Sequence, residues 1–268
     1  MLSFIDPVNP WLVAIGLNTI LLGLVGIAPK QLLTPAGLFH AGLLGVLIWG
    51  TLGWQGYAIV VFYFLVGSGV TRIGMAQKEA EGIAEKRSGA RGPENVWGSA
   101  LTGALCAVGI GILNSGLIPT PHSLLPTPQS LLLLGYVASF STKLSDTTAS
   151  EVGKAYGKRT FLITTLQPVP RGTEGAVSLE GTLAGILASI AIALLAWGVG
   201  LIDLLGIVWC VLAAFIATNL ESVIGATLQS KYNWLTNEVV NIFNTLIGAI
   251  AAMLIALLWT MIIPAFTA

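Results

Sequence analysis

The polar stretch at residues 139–160 carries the side chains that are best suited to metal and phosphate chemistry. It reads SFSTKLSDTTASEVGKAYGKRT and follows the apolar run SLLLLGYVA without a helix breaker, so we predict one helix through both. Four polar residues recur there at i, i+3, i+7 and i+11 and so lie on one helix face: Lys143, Asp146, Ser150 and Lys154. Glu151 lies at the edge of that face.

Asp146 is the member of this face that most favours a function. A carboxylate near membrane depth is unfavourable unless it is paired or bound to a cation. We therefore expect Asp146, with Glu151 or Glu221, to bind Mg²⁺ through oxygen ligands. Lys143 and Lys154 would offset the charge of a bound phosphate. The alternative is a solvated helix end whose lysines reach toward the lipid headgroups.

Small residues accompany the polar face. Ala149, Gly153 and Gly157 recur at every fourth residue, which lets another helix or a ligand approach the backbone closely. The loop at 167–181, QPVPRGTEGAVSLEG, is also rich in glycine and in turn-forming residues, and it ends where an apolar run begins.

Backbone N–H groups of a glycine-containing loop that opens a helix suit phosphate binding. We expect Gly172, Thr173 and Glu174 to take part in it, and Arg171 to add a planar guanidinium for phosphate oxygens. Glu180 is a further polar candidate. A plain connecting turn remains the alternative, since the chain has no G-x-x-x-x-G-K-[ST] motif.

Polar residues also lie near the end of the seventh apolar run and around the start of the eighth. Asn237, Asn241, Asn244 and Gly248 fall on a single helix face. Hydrogen bonding between helices would explain the asparagines. Such hydrogen bonding explains Glu221 and Glu238 less well. With Asp146, these two acids would complete an all-oxygen Mg²⁺ shell. The further candidates in these segments are Glu221, Ser222, Asn237, Glu238 and Asn241.

The elements that position these side chains are membrane spans. The 268 residues are 55% hydrophobic and 9% charged, whereas soluble domains carry about 25% charged residues. The mean hydropathy is +0.86. We predict an all-α, polytopic transmembrane helical bundle of about eight spans in a single domain, 1–268. The apolar runs are 11–28, 36–54, 56–75, 97–118, 130–150, 181–202, 204–224 and 239–264.

The basic residues predict the orientation of the spans. All twelve fall in alternate connections or at their edges: Lys30; Arg72, Lys78, Lys86, Arg87 and Arg91; Lys143, Lys154, Lys158, Arg159 and Arg171; and Lys231. The positive-inside rule puts these connections in the cytoplasm and both termini on the other side. The loops 76–96 and 151–180 are thus predicted to contribute to a cytoplasm-facing active site. The zero net charge gives no indication of a nucleic-acid partner.

Two sequence blocks resemble a known family. The pattern D-x-x-A-x-x-x-G-x-x-x-G-K at 146–158, followed by PVPRGTEG, resembles the core of CTP-dependent membrane kinases and cytidylyltransferases. More closely, KLSDTTASEVGK with PVPRGTEGAVSLEGT resembles the family that contains plant and cyanobacterial phytyl-phosphate kinases. The likeness extends to the segments at 82–97 and 221–241.

The resemblance implies transfer of a terminal phosphoryl group from a nucleotide, CTP, to an isoprenoid monophosphate in prenyl-lipid and tocopherol synthesis. It adds Lys78, Arg91 and Asn95 as contacts for phosphates or base. Asp146, Lys143 and Arg171 are expected to be catalytic, with Mg²⁺ as cofactor, and a homodimer is consistent with the superfamily. The rivals are an isoprenoid alcohol kinase, a lipid cytidylyltransferase and, from another class, an ion-coupled transporter or lipid flippase.

Overall fold

The computed structural model describes residues 9–27, 31–117 and 126–267, with side chains described up to residue 262. The α-helices are α1 (Pro10–Gly26), α2 (Pro35–Thr71), α3 (Met75–Ala80), α4 (Pro93–Asn114), α5 (Pro128–Tyr156), α6 (Leu179–Gly198), α7 (Leu204–Ile224) and α8 (Asn237–Thr267). A 3₁₀ turn covers Lys86–Gly89, and a π-helical turn, Gly225–Gln229, extends α7. The strands β1 (Phe161–Leu162) and β2 (Ala176–Val177) form a small antiparallel pair.

Capping residues define the helix starts. Proline occupies the first turn of α1, α2, α4 and α5, where its missing N–H would have no helical partner. The Asp203 carboxylate accepts from the Gly206 N–H at 2.7 Å and so caps α7. Ser178 caps α6 in the same way, through the N–H of Gly181 at 3.1 Å. The loop that precedes α6 is therefore fixed to the helix at its last residue.

The second and third predicted spans are the two arms of α2. Gly53 has φ 66° and ψ −162°, a conformation that glycine adopts readily and that breaks the helix. At the ends of the arms, Arg72 Nη2 donates to the carbonyl of Gln31 at 3.2 Å, so the two ends lie together. The arms thus form an antiparallel hairpin, and the predicted boundary between 54 and 56 falls within two residues of its turn.

The prediction of an all-α membrane bundle is confirmed. Within the described residues, five helices are long and apolar enough to cross a bilayer, counting α2 as one: α2, α4, α6, α7 with its π-helical turn, and α8. The helix α1 is apolar but has only 17 residues. The helix α5 is long enough, but its second half is too polar to meet the same criterion. The eight predicted spans therefore lie on seven helices.

The helix α5 forms the centre of the bundle, where it contacts α2, α4, α6, α7 and α8. Residues 134–146 are buried along its whole circumference. Tyr136 donates to the carbonyl of Gly56 at 2.7 Å, and its ring packs edge-on against Phe140 with centroids 5.2 Å apart. These contacts fix how far α5 is shifted along its axis relative to the α2 hairpin. They therefore also fix where along the bundle its polar face lies.

Small residues let α6 approach α5 closely, as the series at 149, 153 and 157 predicted. A Cβ at Gly181 would lie 2.5 Å from the Ala149 carbonyl oxygen and 3.3 Å from the Cα of Gly153. One turn further, a Cβ at Gly185 would lie 2.9 Å from the Ser145 carbonyl oxygen. Larger residues at either glycine would push α6 away from the polar half of α5.

The predicted basic loops meet at one end of the bundle. Residues of 82–95 and 172–178 line one cavity there, together with the polar half of α5 and the facing ends of α7 and α8. The loops predicted to share a side of the membrane therefore do lie together. Lys30 and His122 lie outside the described residues. The assignment of this end to the cytoplasm remains a prediction.

Candidate active site

A cavity of about 690 Å³ occupies the polar end of the bundle. It brings together most of the residues that the sequence predicted: Arg91, Asn95, Lys143, Asp146, Ser150, Glu151, Lys154, Gly172, Thr173, Glu174, Glu221, Ser222, Asn237, Glu238 and Asn241. Three predicted residues do not line it, namely Lys78, Arg171 and Glu180. The polar face predicted on α5 thus points into one shared space.

Lys143 and Asp146 form a buried ion pair on the wall of this cavity. The Lys143 ammonium donates to Asp146 Oδ2 at 2.6 Å and to Asn241 Oδ1 at 2.7 Å. Less than a tenth of either charged side chain is exposed. The bond to Asn241 connects α5 to α8, and Asp146 Oδ1 accepts no hydrogen bond from the described residues.

Glu151 belongs to a second buried pair. Its carboxylate accepts from the Lys78 ammonium, which also donates to the Thr71 carbonyl at 2.8 Å. Lys78 is fully buried, so it is positioned to neutralise Glu151 rather than to contact a ligand. Lys154 Nζ lies 3.5 Å from both Glu151 and Glu85. Lys154 is therefore the cavity-facing cation of this group.

Arg171 braces the glycine-containing loop from outside the cavity. Its Nη2 donates to Glu81 Oε1 at 2.6 Å, and its Nη1 to the carbonyl of Ala155 at 3.4 Å. These bonds join the loop to the segment after α3 and to the end of α5. Glu180 lies in the first turn of α6, also outside the cavity lining.

Two glycines let this loop lie against its neighbours. Gly172 (φ 81°) packs on Ile83, and Gly175 (φ 75°) packs on α7 and its π-helical turn. A Cβ at Gly175 would lie 2.5 Å from both the Ser222 carbonyl oxygen and Ala226 Cβ. The close approach places Thr173 and Glu174 at the cavity beside Glu221.

Arg91 and Asn95 line the cavity where α4 begins. Arg91 Nη1 donates to Tyr63 Oη at 2.7 Å, and its guanidinium lies 5.1 Å from the centre of the Tyr63 ring. Asn95 Oδ1 accepts from the Gly92 N–H at 3.0 Å and from Arg87 Nη2 at 2.8 Å. Both side chains are thus fixed in position before any ligand binds.

Several cavity residues were not among the predicted site residues, including Tyr63, Arg87, Ser99 and Thr218. Tyr63 and Thr218 lie within apolar runs, which gave no signal that their side chains face a polar space. In the sequence, Arg87 is one of many charged residues in a loop with both acids and bases, and nothing distinguishes it. In the structure it has φ 55° and donates to Asn95. Asn244, the third residue of the asparagine face, is fully buried away from the cavity.

The oxygen-rich lining contains carboxylates that could hold a magnesium ion. Among the described residues no three His, Cys, Asp or Glu side chains form a metal-binding group. Magnesium usually binds through one or two carboxylates together with substrate phosphates. Asp146 and Glu221 line the same cavity and meet that requirement, and Thr218 Oγ1 beside them is buried with no described partner.

Comparisons with known proteins place the chain in a family. The model of the family "Integral membrane protein DUF92" matches residues 18–249. An uncharacterized membrane protein of Synechocystis sp. is 68% identical over 91% of this chain and 90% of its own length. Protein VTE6, chloroplastic, of Arabidopsis thaliana is 47% identical over 83% of this chain, and the match covers 65% of that protein.

An uncharacterized membrane protein of Methanocaldococcus jannaschii is 32% identical over 85% of this chain and 88% of that protein. No solved structure matches the chain. The family model covers most of the bundle and every segment that lines the cavity. The chain is therefore a member of the DUF92 family of integral membrane proteins.

Proposed function

We propose that the chain is a membrane kinase that transfers the terminal phosphoryl group of CTP to an isoprenoid monophosphate such as phytyl phosphate. The proposal depends above all on one observation: a cavity with both cations and carboxylates lies at the polar end of an otherwise apolar bundle. Its volume of about 690 Å³ is within the range of small-ligand sites, roughly 300–1,000 Å³. A site at the surface of the bilayer would be accessible to a water-soluble donor and to a lipid acceptor.

The charges of the cavity match a nucleotide with its metal ion. Lys143, Lys154 and Arg91 all line the cavity and supply its positive charge. Asp146 and Glu221 would hold Mg²⁺, which would offset the negative charge of the phosphates. Thr173 and the backbone around Gly172 would bind phosphate oxygens through hydrogen bonds.

The chemical step needs little more than positioning. An oxygen of the acceptor phosphate attacks the γ-phosphorus, the bond from that phosphorus to the β-phosphate oxygen breaks, and CDP leaves. The acceptor phosphate is already nucleophilic at neutral pH, so no general base has to remove a proton. Consistent with this, no histidine lines the cavity in the described part of the chain.

The crowding of ionisable groups at one end argues against a transport pathway. Transport across the bundle would require polar lining through its full depth. The described residues of the other half include only one acid, Asp203, which caps α7. A transporter or flippase is therefore the less favoured class.

An assay with labelled CTP tests the proposal. Purified protein is incubated with Mg²⁺, CTP labelled at the γ- or α-phosphate, and either phytyl phosphate or phytol. We expect γ-label in phytyl diphosphate and no α-label in lipid. Lipid that carries α-label would indicate nucleotidyl transfer. Conversion of phytol to γ-labelled phytyl phosphate, without turnover of phytyl phosphate, would indicate an alcohol kinase. If no lipid is turned over, the kinase proposal is wrong.

A further inference from the structure

An apolar groove adjoins the active-site cavity. It encloses about 90 Å³ and is bordered by α1, both arms of α2 and α4. Aliphatic and aromatic side chains form most of its wall, among them Leu22, Ala41, Leu44, Val61 and Phe64. Leu22 and Ala41 are partly exposed, so the groove opens at the side of the bundle, where the bilayer would lie.

The groove and the active-site cavity share part of their lining. Four residues border both spaces: Tyr63, Arg91, Asn95 and Ser99. All four are polar, and they lie at the junction between the apolar groove and the charged cavity. Arg91 is fixed there by its 2.7 Å bond to Tyr63 and by its position over the tyrosine ring. A molecule that spans this junction would have an apolar part in the groove and an anionic end beside a guanidinium.

Away from that junction, the polar side chains of the groove wall are already hydrogen-bonded to each other. Asn18 is buried, donates to the Ala14 carbonyl at 2.8 Å and accepts from the Tyr57 hydroxyl at 3.1 Å. It packs so closely on Gly45 that a Cβ there would lie 2.0 Å from Asn18 Oδ1. The groove therefore presents an apolar surface, which favours hydrocarbon over a polar occupant.

We propose that this groove binds the prenyl chain of the acceptor, with the acceptor phosphate at Arg91; this inference rests on the proposed kinase function. The enclosed 90 Å³ is small beside the roughly 300–1,000 Å³ of sites that surround a whole ligand. The groove thus holds the isoprene units nearest the phosphate, and the rest of the chain extends into the bilayer. The nucleotide then approaches from the Lys143 and Lys154 side, so the two phosphates meet within one cavity.

The test fills the groove and varies the chain length of the acceptor. Ala41→Trp places a large ring at the groove opening, and Ala36→Trp is the matched control, because Ala36 is exposed on the same helix and lines neither cavity. Both variants are assayed for γ-phosphoryl transfer to prenyl monophosphates of one to four isoprene units. In the unaltered protein, kcat/KM should rise with each of the first units, by roughly tenfold or more per unit, as apolar contacts are added.

In Ala41→Trp this dependence on chain length should disappear, while Ala36→Trp should retain it. An equal loss for all chain lengths in Ala41→Trp would overturn the groove assignment while leaving the kinase proposal intact. Absence of transfer to every acceptor in the unaltered protein would instead contradict the kinase proposal.

A binding measurement keeps the inference testable even if Ala41→Trp fails to fold. The unaltered protein is irradiated with a phytyl phosphate analogue that carries a diazirine in the isoprene unit nearest the phosphate. We expect labelled peptides from the second arm of α2 and from α4, which border the groove beside Arg91, with labelling that unmodified phytyl phosphate competes away. Labelling confined to α6, α7 and α8 would show that the chain binds elsewhere.

Discussion

The Lys143 ammonium and the Asp146 carboxylate lie 2.6 Å apart, one turn from each other on the central helix of the bundle. Both groups are more than nine-tenths buried, and the ammonium also reaches Asn241 on α8. A buried ion pair contributes little net stability compared with apolar residues of the same size. Its position on the wall of the cavity instead suits a function in which Asp146 binds a cation through its other oxygen.

Removing one partner of the Lys78–Glu151 pair should lower the stability of the protein strongly, whereas removing both should not. Both side chains are almost completely buried, so Lys78→Met removes the closest cation of Glu151 and leaves only the longer 3.5 Å contact with Lys154. We expect Lys78→Met to lower the free energy of unfolding by about 3–5 kcal/mol, and Lys78→Met with Glu151→Leu to recover most of it. Thermal unfolding in detergent measures both variants.

The exposed Arg87–Glu94 pair is the control for that experiment, since nearly half of each side chain is exposed. Glu94→Gln should change the unfolding free energy by less than about 1 kcal/mol. If Lys78→Met changed the free energy of unfolding as little as Glu94→Gln, the Lys78–Glu151 pair would not be buried as described.

Gly175→Ala should impair catalysis through the position of the loop. The added methyl would lie 2.5 Å from the Ser222 carbonyl oxygen, so the loop must move away from α7 and take Thr173 and Glu174 with it. Displacement of a substrate-positioning group by about 1 Å can lower the reaction rate up to about 100-fold. We therefore expect kcat/KM for CTP to fall roughly 10- to 100-fold.

Gly200→Ala is the control, because Gly200 also has positive φ but no atoms within 4 Å of an added Cβ. This variant has the same type of backbone strain, about 1–2 kcal/mol, without displacing the site loop. Its kcat/KM should stay near that of the unaltered protein. Equal losses in the two variants would attribute the effect to strain and not to loop position.

Arg171 should act by positioning the loop and not by contacting substrate. Because its guanidinium is bonded to Glu81, Arg171→Gln and Glu81→Gln should reduce kcat/KM by similar amounts, roughly tenfold each, and the double variant by little more. Steady-state kinetics on the three variants tests this. A severe loss in Arg171→Gln with normal activity in Glu81→Gln would make Arg171 a direct phosphate ligand.

The orientation of the bundle can be measured by cysteine labelling. The native Cys106 and Cys210 are buried, so the background should be low. Ser88→Cys is exposed beside the cavity end, and Leu117→Cys is exposed after α4 at the other end. In intact cells a membrane-impermeant maleimide should label Leu117→Cys but not Ser88→Cys. The reverse pattern would put the cavity on the non-cytoplasmic side.

Much of the architecture follows from local sequence. The apolar runs have the length that a bilayer requires, and each falls on a helix or, for the second and third runs, on an arm of α2. The face of Lys143, Asp146, Ser150 and Lys154 was predictable because helical spacing alone sets it. The same holds for the small residues of α5, which mark the side that α6 approaches.

The partners of the charged residues were not predictable. Lys78 lies 73 residues from Glu151 and Arg171 lies 90 residues from Glu81, and no local pattern indicates which distant charges will meet. The role of Tyr63 was hidden for a related reason: an aromatic residue in an apolar run packs in most cases against other apolar groups. Its contact with Arg91 depends on how the α2 hairpin folds back, which only the tertiary structure sets.

The most direct test of the proposed chemistry is γ-phosphoryl transfer from CTP to phytyl phosphate by Asp146→Asn, with Asp203→Asn as the control. Asn keeps the size of the side chain and Lys143 keeps its bond to Asn241, while Asp203→Asn preserves a good N-cap far from the cavity. We expect Asp146→Asn to remain folded and to lose roughly 100- to 1,000-fold in Mg²⁺-dependent kcat, and Asp203→Asn to keep near-normal turnover. Near-normal turnover in a folded Asp146→Asn protein would contradict the assignment of Asp146 to the metal and nucleotide site.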